Sequence, residues 1–184
     1  QYAVQQLTAA EEGATLAAYG RYMAQQMIVW DTWRETAREP EALAALEPEV
    51  ENLRLAWRWL IQQLGQLTAA ARVPEQEQTP LCGGELLQLA AHLSSGITYF
   101  LLRRSRYQEG QQWLTALRAA LPGDISALRD RAKHDPCTAQ AAFGSIQLDY
   151  AELLFHQSEF AEVETLLQML CPVLRRLVEP RHLA

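Results

Sequence analysis

Lysine is almost missing from this chain. Of its sixteen basic residues only Lys133 is a lysine, so arginine carries the positive charge, a bias that fits a GC-rich genome. Cations are also outnumbered: twenty-two acidic residues leave a formal charge of −6. That balance argues against direct nucleic-acid binding, which calls for a basic face. No apolar run approaches the roughly 20 residues of a spanning helix, and no leader-peptide pattern opens the chain, so no membrane contact is expected. Cysteine is scarce. Cys82, Cys137 and Cys171 are far apart, odd in number and without CxxC spacing. Neither a disulfide framework nor a zinc site follows, and the thiols are expected to be reduced, mostly buried and cytoplasmic. A GxxxxGK[ST] phosphate loop and a motif-like Ser, His and acid spacing are absent too, so this stretch is expected to be non-enzymatic and to need no cofactor. Convincing β-alternation is likewise missing.

What the sequence does have is helical periodicity. Leu16, Tyr19, Met23, Met27 and Trp30 form one stripe between Thr15 and Glu39, with Tyr22, Val29 and Trp33 forming a second. Val50, Leu53, Trp57, Leu60 and Leu64 follow in steps of three and four. Pro48 and its neighbouring glutamates suit the start of that helix, and Gly65 its stop. Ala71–Glu85, with its prolines and paired glycines, reads as a linker. Further helices are predicted from Leu86 to Leu101, Arg106 to Leu121, Thr138 to Gln157 and Glu159 to Val178, with a short one from Asp124 to Asp130. The organisation expected is a helical region at 1–70, a linker at 71–84 and two helix pairs at 85–184, forming one all-α domain of antiparallel pairs. Because the sequence opens on Gln1, it is expected to be part of a longer protein.

Trp57-Arg58-Trp59 sharpens this. Residues two apart on a helix point about 200° from each other, so these indoles cannot form one aromatic cage. Trp57 is expected to face its own helix pair, Trp59 and Leu55 the next layer, and Arg58 solvent. A helix buried on two sides is what stacked helix pairs require.

A degenerate repeat points the same way. Tyr107, Gly110, Leu114, Leu117 and Pro122 resemble the second helix of a tetratricopeptide repeat, and Phe160, Val163, Leu167 and Leu170 renew most of that pattern 53 residues later. A regular array would repeat after about 34, so an insertion is expected near Gly123–Pro136.

The order QYAVQQL, YGRYMAQQM, ENLRLAWRWL and FLLRRSRYQEGQQWLTALRAAL, from Gln1 to Pro122, is similar to the helical region that follows the nucleotide-binding and winged-helix modules of STAND-class signal-transduction NTPases. Glu51, Asn52, Leu53 and Arg54 match that family's acidic-Asn-Leu-Arg helix. Glu109, Gly110, Trp113 and Leu114 match the end of its Gly-x-x-x-Glu-Gly-x-x-Trp-Leu turn, although Arg104 or Ser105 stands where glycine is commoner. The long linker after Gly65 also departs from the family. The repeat and the two-sided helices favour a right-handed tetratricopeptide-like stack over a closed four-helix bundle, and the resemblance adds a role to it. It would be the sensor arm of a cytoplasmic bacterial transcriptional regulator, working on the nucleotide-binding and DNA-binding domains of the same parent chain.

The first helices of stacked pairs line a groove. The repeat register places His92, Ser95, Tyr99, Leu102 and Arg103 there from one pair, and Ser145, Leu148, Glu152, Phe155 and His156 from the other. Aromatic, histidine and single-charge character suits a protein or peptide segment or a small-molecule inducer; a capping element filling the groove is the competing expectation. Arg103-Arg104-Ser105-Arg106 offers anion contacts, or simply cations at a helix C-terminus. Glu152 and His156, four apart, open a third possibility beside sensor and stand-alone adaptor: a helical enzyme or metal-binding bundle. His134-Asp135-Pro136-Cys137 lacks the second ligand cluster a zinc site needs.

Overall fold

The computed structural model describes residues 9–34, 36–70, 83–121 and 136–178. Every regular element among them is helical. In chain order they are α1 (Ala9–Asp31), α2 (Glu39–Leu46), a 3-10 turn (Glu47–Glu49), α3 (Val50–Ala70), α4 (Gly83–Arg103), α5 (Tyr107–Ala120), α6 (Pro136–His156) and α7 (Phe160–Val178). The all-α expectation therefore holds. The expected short helix at 124–130 and most of the expected linker lie outside the described residues. Gly83 and Gly84, assigned to that linker by their composition, instead form the first turn of α4.

The stretch from Thr15 to Glu39 is not one helix. α1 stops at Asp31, where Thr32 Oγ1 donates to the Val29 carbonyl at 2.7 Å and Trp33 N to that of Trp30 at 2.9 Å. Local bonds of this kind compete with helix continuation. Turns follow until α2 begins with Pro40 in its first turn, where a missing N–H costs nothing. Pro48 lies in the 3-10 turn, one step before α3. Gly65 does not end α3. A methyl there would meet nothing within 4 Å, and the helix runs on to Ala70.

Helices α1, α4 and α6 pack in succession, α1 on α4 and α4 on α6, while α3 packs on α1, α4 and α5. Two contacts bring backbones unusually close. A Cβ at Gly96 would sit 2.1 Å from Met27 Sδ, and one at Gly110 would sit 3.0 Å from both methyls of Leu153. At Gly96 a side chain would overlap Met27 along most of its length and force α4 from α1, whereas at Gly110 the Leu153 methyls would have to give by only a few tenths of an ångström.

The two hairpins α4–α5 and α6–α7 turn in the same way. Ser105 and Ser158 take left-handed φ values of 55° and 65°. Arg106 N donates to Leu101 O at 2.8 Å and Ser105 N to Leu102 O at 3.0 Å. Glu159 N donates to Leu154 O at 3.0 Å and Ser158 N to Phe155 O at 3.0 Å. These are Schellman caps, which satisfy the last carbonyls of each leading helix. Every atom of the second cap lies 53 residues after its counterpart in the first. Burial differs between the copies: Leu114 is 1% exposed, but its equivalent Leu167 is 40% exposed.

Trp57 and Trp59 are both buried, at 3% and 7% exposure. Their partners are exchanged relative to expectation. Trp57 meets Trp113 of α5, with ring centroids 5.7 Å apart, whereas Trp59 lies beside Gly13 of α1. Leu55, expected to be covered, is 50% exposed. Cys171 is also exposed rather than buried.

Candidate functional site

The residues that carry the family resemblance hold the scaffold together. Arg54 pairs with Glu51 and with Glu109 of α5, and Glu109 also accepts from Arg106 at 2.6 Å. Burial alone would raise the Glu109 carboxyl, but the bonds from Arg54 and Arg106 outweigh it and hold the group below its usual range. Asn52 donates to Glu49 at 3.0 Å, and Glu49 accepts from Tyr19 of α1 at 2.8 Å. Those two bonds lower the Glu49 carboxyl, while burial followed by the bond to Glu49 raises the Tyr19 phenol. Leu53 and Leu114 are core residues. The two motifs thus join α3 to α5 and to α1.

The arginine cluster at the first hairpin turn is similarly engaged. Arg103 pairs with Glu39 at 2.8 Å, Arg104 with Glu47 at 2.9 Å and Arg106 with Glu109 at 2.5 Å. Carboxylates of this chain therefore occupy the place expected for an outside anion or for the helix dipole alone.

The expected groove is occupied at one end and exposed at the other. Arg34, just past α1, donates to both the carbonyl and the hydroxyl of Ser95 at 3.0 Å and lies 4.3 Å over the Tyr99 ring. Tyr99 also accepts from Arg103 Nε at 3.3 Å. With Leu43 and Leu46 of α2 alongside, the crevice left around Tyr99 measures about 20 Å³, room for one water molecule. Leu102 is half-buried against the core. His92 is exposed, and Ser145 is half-buried. On α6, Leu148, Glu152, Phe155 and His156 are all exposed. Glu152 and His156 form no ion pair; His156 stacks on Tyr107 instead, 5.8 Å away with rings nearly parallel. Phe155 makes edge contacts with His156 and Phe160. Among the described residues no three His, Cys, Asp or Glu side chains gather where they could hold a metal ion.

Asp149 is the site residue that sequence reasoning passed over. It lies on α6 between Leu148 and Glu152, largely buried against α4. Ser94 Oγ, itself fully buried, sits 2.5 Å from Asp149 Oδ2 and 3.0 Å from the Ala91 carbonyl. A hydroxyl has one proton. If it goes to the carbonyl, the short contact is satisfied by a protonated Asp149 donating to Ser94. Burial pushes the Asp149 carboxyl up to about 7; the Ser94 bond opposes this, Glu152 adds to it, Arg34 opposes it and Asp31 adds weakly. Ser94, Arg34 and two further carboxyl groups, Asp31 and Glu152, thus surround the raised Asp149 carboxyl. Perturbed carboxyls of this kind concentrate at functional sites. In sequence, only its place on the Ser145–Glu152 face marked it.

Compared with protein-family models, characterised proteins and solved structures, the chain matches none. No described helix is long and apolar enough to cross a membrane.

Proposed function

We propose that this chain is a non-catalytic, tetratricopeptide-like interaction and sensing module of a cytoplasmic bacterial regulator resembling the STAND class. The α4–α6 face around Asp149 is its recognition surface. The observation that carries this reading is the recurrence of one hairpin, cap bond for cap bond, after 53 residues. The packing order supports it: α1, α4 and α6 follow one another, as first helices do in stacked pairs, with α3 and α5 adjacent. Leu148, Phe155, Glu152 and His156 supply apolar area and single charges to a protein segment or inducer. Arg34 and α2 close the neighbouring end, so recognition is concentrated on α6. Binding there shifts α6 against α4, and the stack passes that reorientation to output domains of a parent chain.

The test is a peptide-display selection against the intact chain, followed by competition mapping. Selected binders are expected to lose at least about tenfold in affinity, or 1.4 kcal/mol, in Leu148→Asp and Glu152→Arg, and to keep it in Leu55→Asp. Binders indifferent to both α6 changes would refute the assignment of this face.

A further inference from the structure

Helices α3 and α5 leave a second surface that shares no residue with the face just described. Between them runs an open groove of about 220 Å³. Trp57 and Trp113 line it, tilted 33° to each other, together with Ile61 and Ala116. Trp57 Nε1 donates to the Trp113 carbonyl at 3.3 Å and the Trp57 ring is buried, so it forms the floor, while half-buried Trp113 and Ile61 supply the apolar surface that faces the groove. The two arginines beside it differ. Arg54 is held by Glu51 and Glu109. Arg58 is exposed, donates to the Arg54 carbonyl at 3.3 Å, and has no carboxylate within ion-pair distance among the described residues. In a chain of net charge −6, an uncompensated guanidinium beside an apolar groove is a specific complement to a carboxylate.

We propose that this groove docks an acidic amphipathic helix of a partner protein. One large apolar side chain lies against Trp113 and Ile61, and a Glu or Asp about one turn away pairs with Arg58. Size decides between a protein segment and a free small molecule. Pockets that enclose a small ligand span roughly 300–1,000 Å³, whereas a smaller, open groove between two helices takes a single anchoring side chain. Tryptophan and arginine are also the side chains that most often dominate such anchoring sites. The Trp57-Arg58 pair therefore has two roles: the indole closes the core from below, and the arginine selects charge from above.

The test uses the intact chain and short fluorescein-labelled helical peptides. One carries Phe and, one turn away, Glu; a second replaces Glu with Lys; a third replaces Phe with Ala. Anisotropy is expected to show binding of the first alone, with a change in tryptophan emission. Arg58→Glu and Ala116→Trp, both at exposed positions, should each weaken it at least about tenfold while circular dichroism and melting stay as in the parent. Arg58→Glu should in turn prefer the lysine peptide. Leu148→Asp should leave all of this unchanged, which separates the groove from the α6 face. The proposal fails if no peptide binds at millimolar concentration, if Ala116→Trp binds as well as the parent, or if Arg58→Glu shows no exchange of charge preference. It also fails if indole-3-acetate binds where the peptides do not, or if sedimentation shows self-association that Ala116→Trp abolishes. Those results would assign the groove to a small acid or to a second copy.

Discussion

Ser94 and Asp149, 55 residues apart in sequence, meet across the α4–α6 interface at 2.5 Å. Burial of Asp149 at this interface, which the Ser94 contact only partly offsets, makes stability depend on the charge of one carboxyl. Because burial raises Asp149 from 3.8 to about 7, the folded state holds a proton that the unfolded chain has released. Below about pH 4 both states are protonated and this residue adds no penalty. Stability then falls as pH rises from about 4 to 7, and levels off above that. At roughly 1.4 kcal/mol per pH unit, the full effect is about 4 kcal/mol. Asp149→Asn, whose amide can accept from Ser94 or donate to it, should remove this slope and be more stable than the parent at pH 8. Urea unfolding at pH 5, 6, 7 and 8 measures it; parallel profiles for the two proteins would show that Asp149 is ionised throughout.

Gly96 sets the distance between α1 and α4. Gly96→Ala should cost about 1–3 kcal/mol, since the new methyl overlaps Met27 from Sδ to Cβ and α1 must move to admit it. Adding Met27→Ala should recover part of the overlap strain in a double-mutant cycle. Additive losses would mean that the crossing is looser than the 2.1 Å approach implies.

The hairpin caps invite the opposite change. Serine at a left-handed φ is strained by about 1 kcal/mol, and glycine is not, although glycine gives back some of this as unfolded-chain entropy. Ser105→Gly and Ser158→Gly should each stabilise the fold by roughly 0.5 kcal/mol, and the pair should add. Thermal melting decides the matter; a loss at either site would contradict its cap geometry.

Two residues apart in sequence, Trp57 and Leu55 should respond very differently. Trp57→Ala removes a buried indole and should cost about 3–5 kcal/mol. Leu55→Ala, at a half-exposed position, should stay within about 0.5 kcal/mol of the parent. Equal melting temperatures for the two variants would overturn the burial assigned to Trp57.

Much of the helical architecture was legible because burial on helices leaves a period. The stripes through Met23 and Met27, and through Leu53, Trp57 and Leu60, mark buried faces directly. The 53-residue echo of Tyr107 in Phe160 marked the two hairpins, but not the left-handed caps at Ser105 and Ser158. What the pattern concealed arises between distant segments. The Arg103-Arg104 pair reads as a free basic cluster until α2 and the 3-10 turn bring Glu39 and Glu47 to it. Asp149 is an ordinary acid in sequence, and only Ser94 on another helix makes it unusual. Gly65 misled because glycine breaks a helix only when its neighbours favour an alternative, and here Leu64 and Leu67 keep packing on both sides. The interior face of Trp57 was legible too, but not that its layer partner would be Trp113.

The links from Arg103 to Glu39 and from Arg104 to Glu47 have a further consequence. They clip the segment between α1 and α3 to the far end of α4 through partly exposed ion pairs, each worth at most about 1 kcal/mol. Raising salt from 0.1 M to 1 M shortens the screening length from about 10 Å to about 3 Å and weakens such clips while leaving apolar packing intact. The α2–α4 contact is therefore tuned by ionic strength, and the apolar Gly110–Leu153 crossing of α5 and α6 is not.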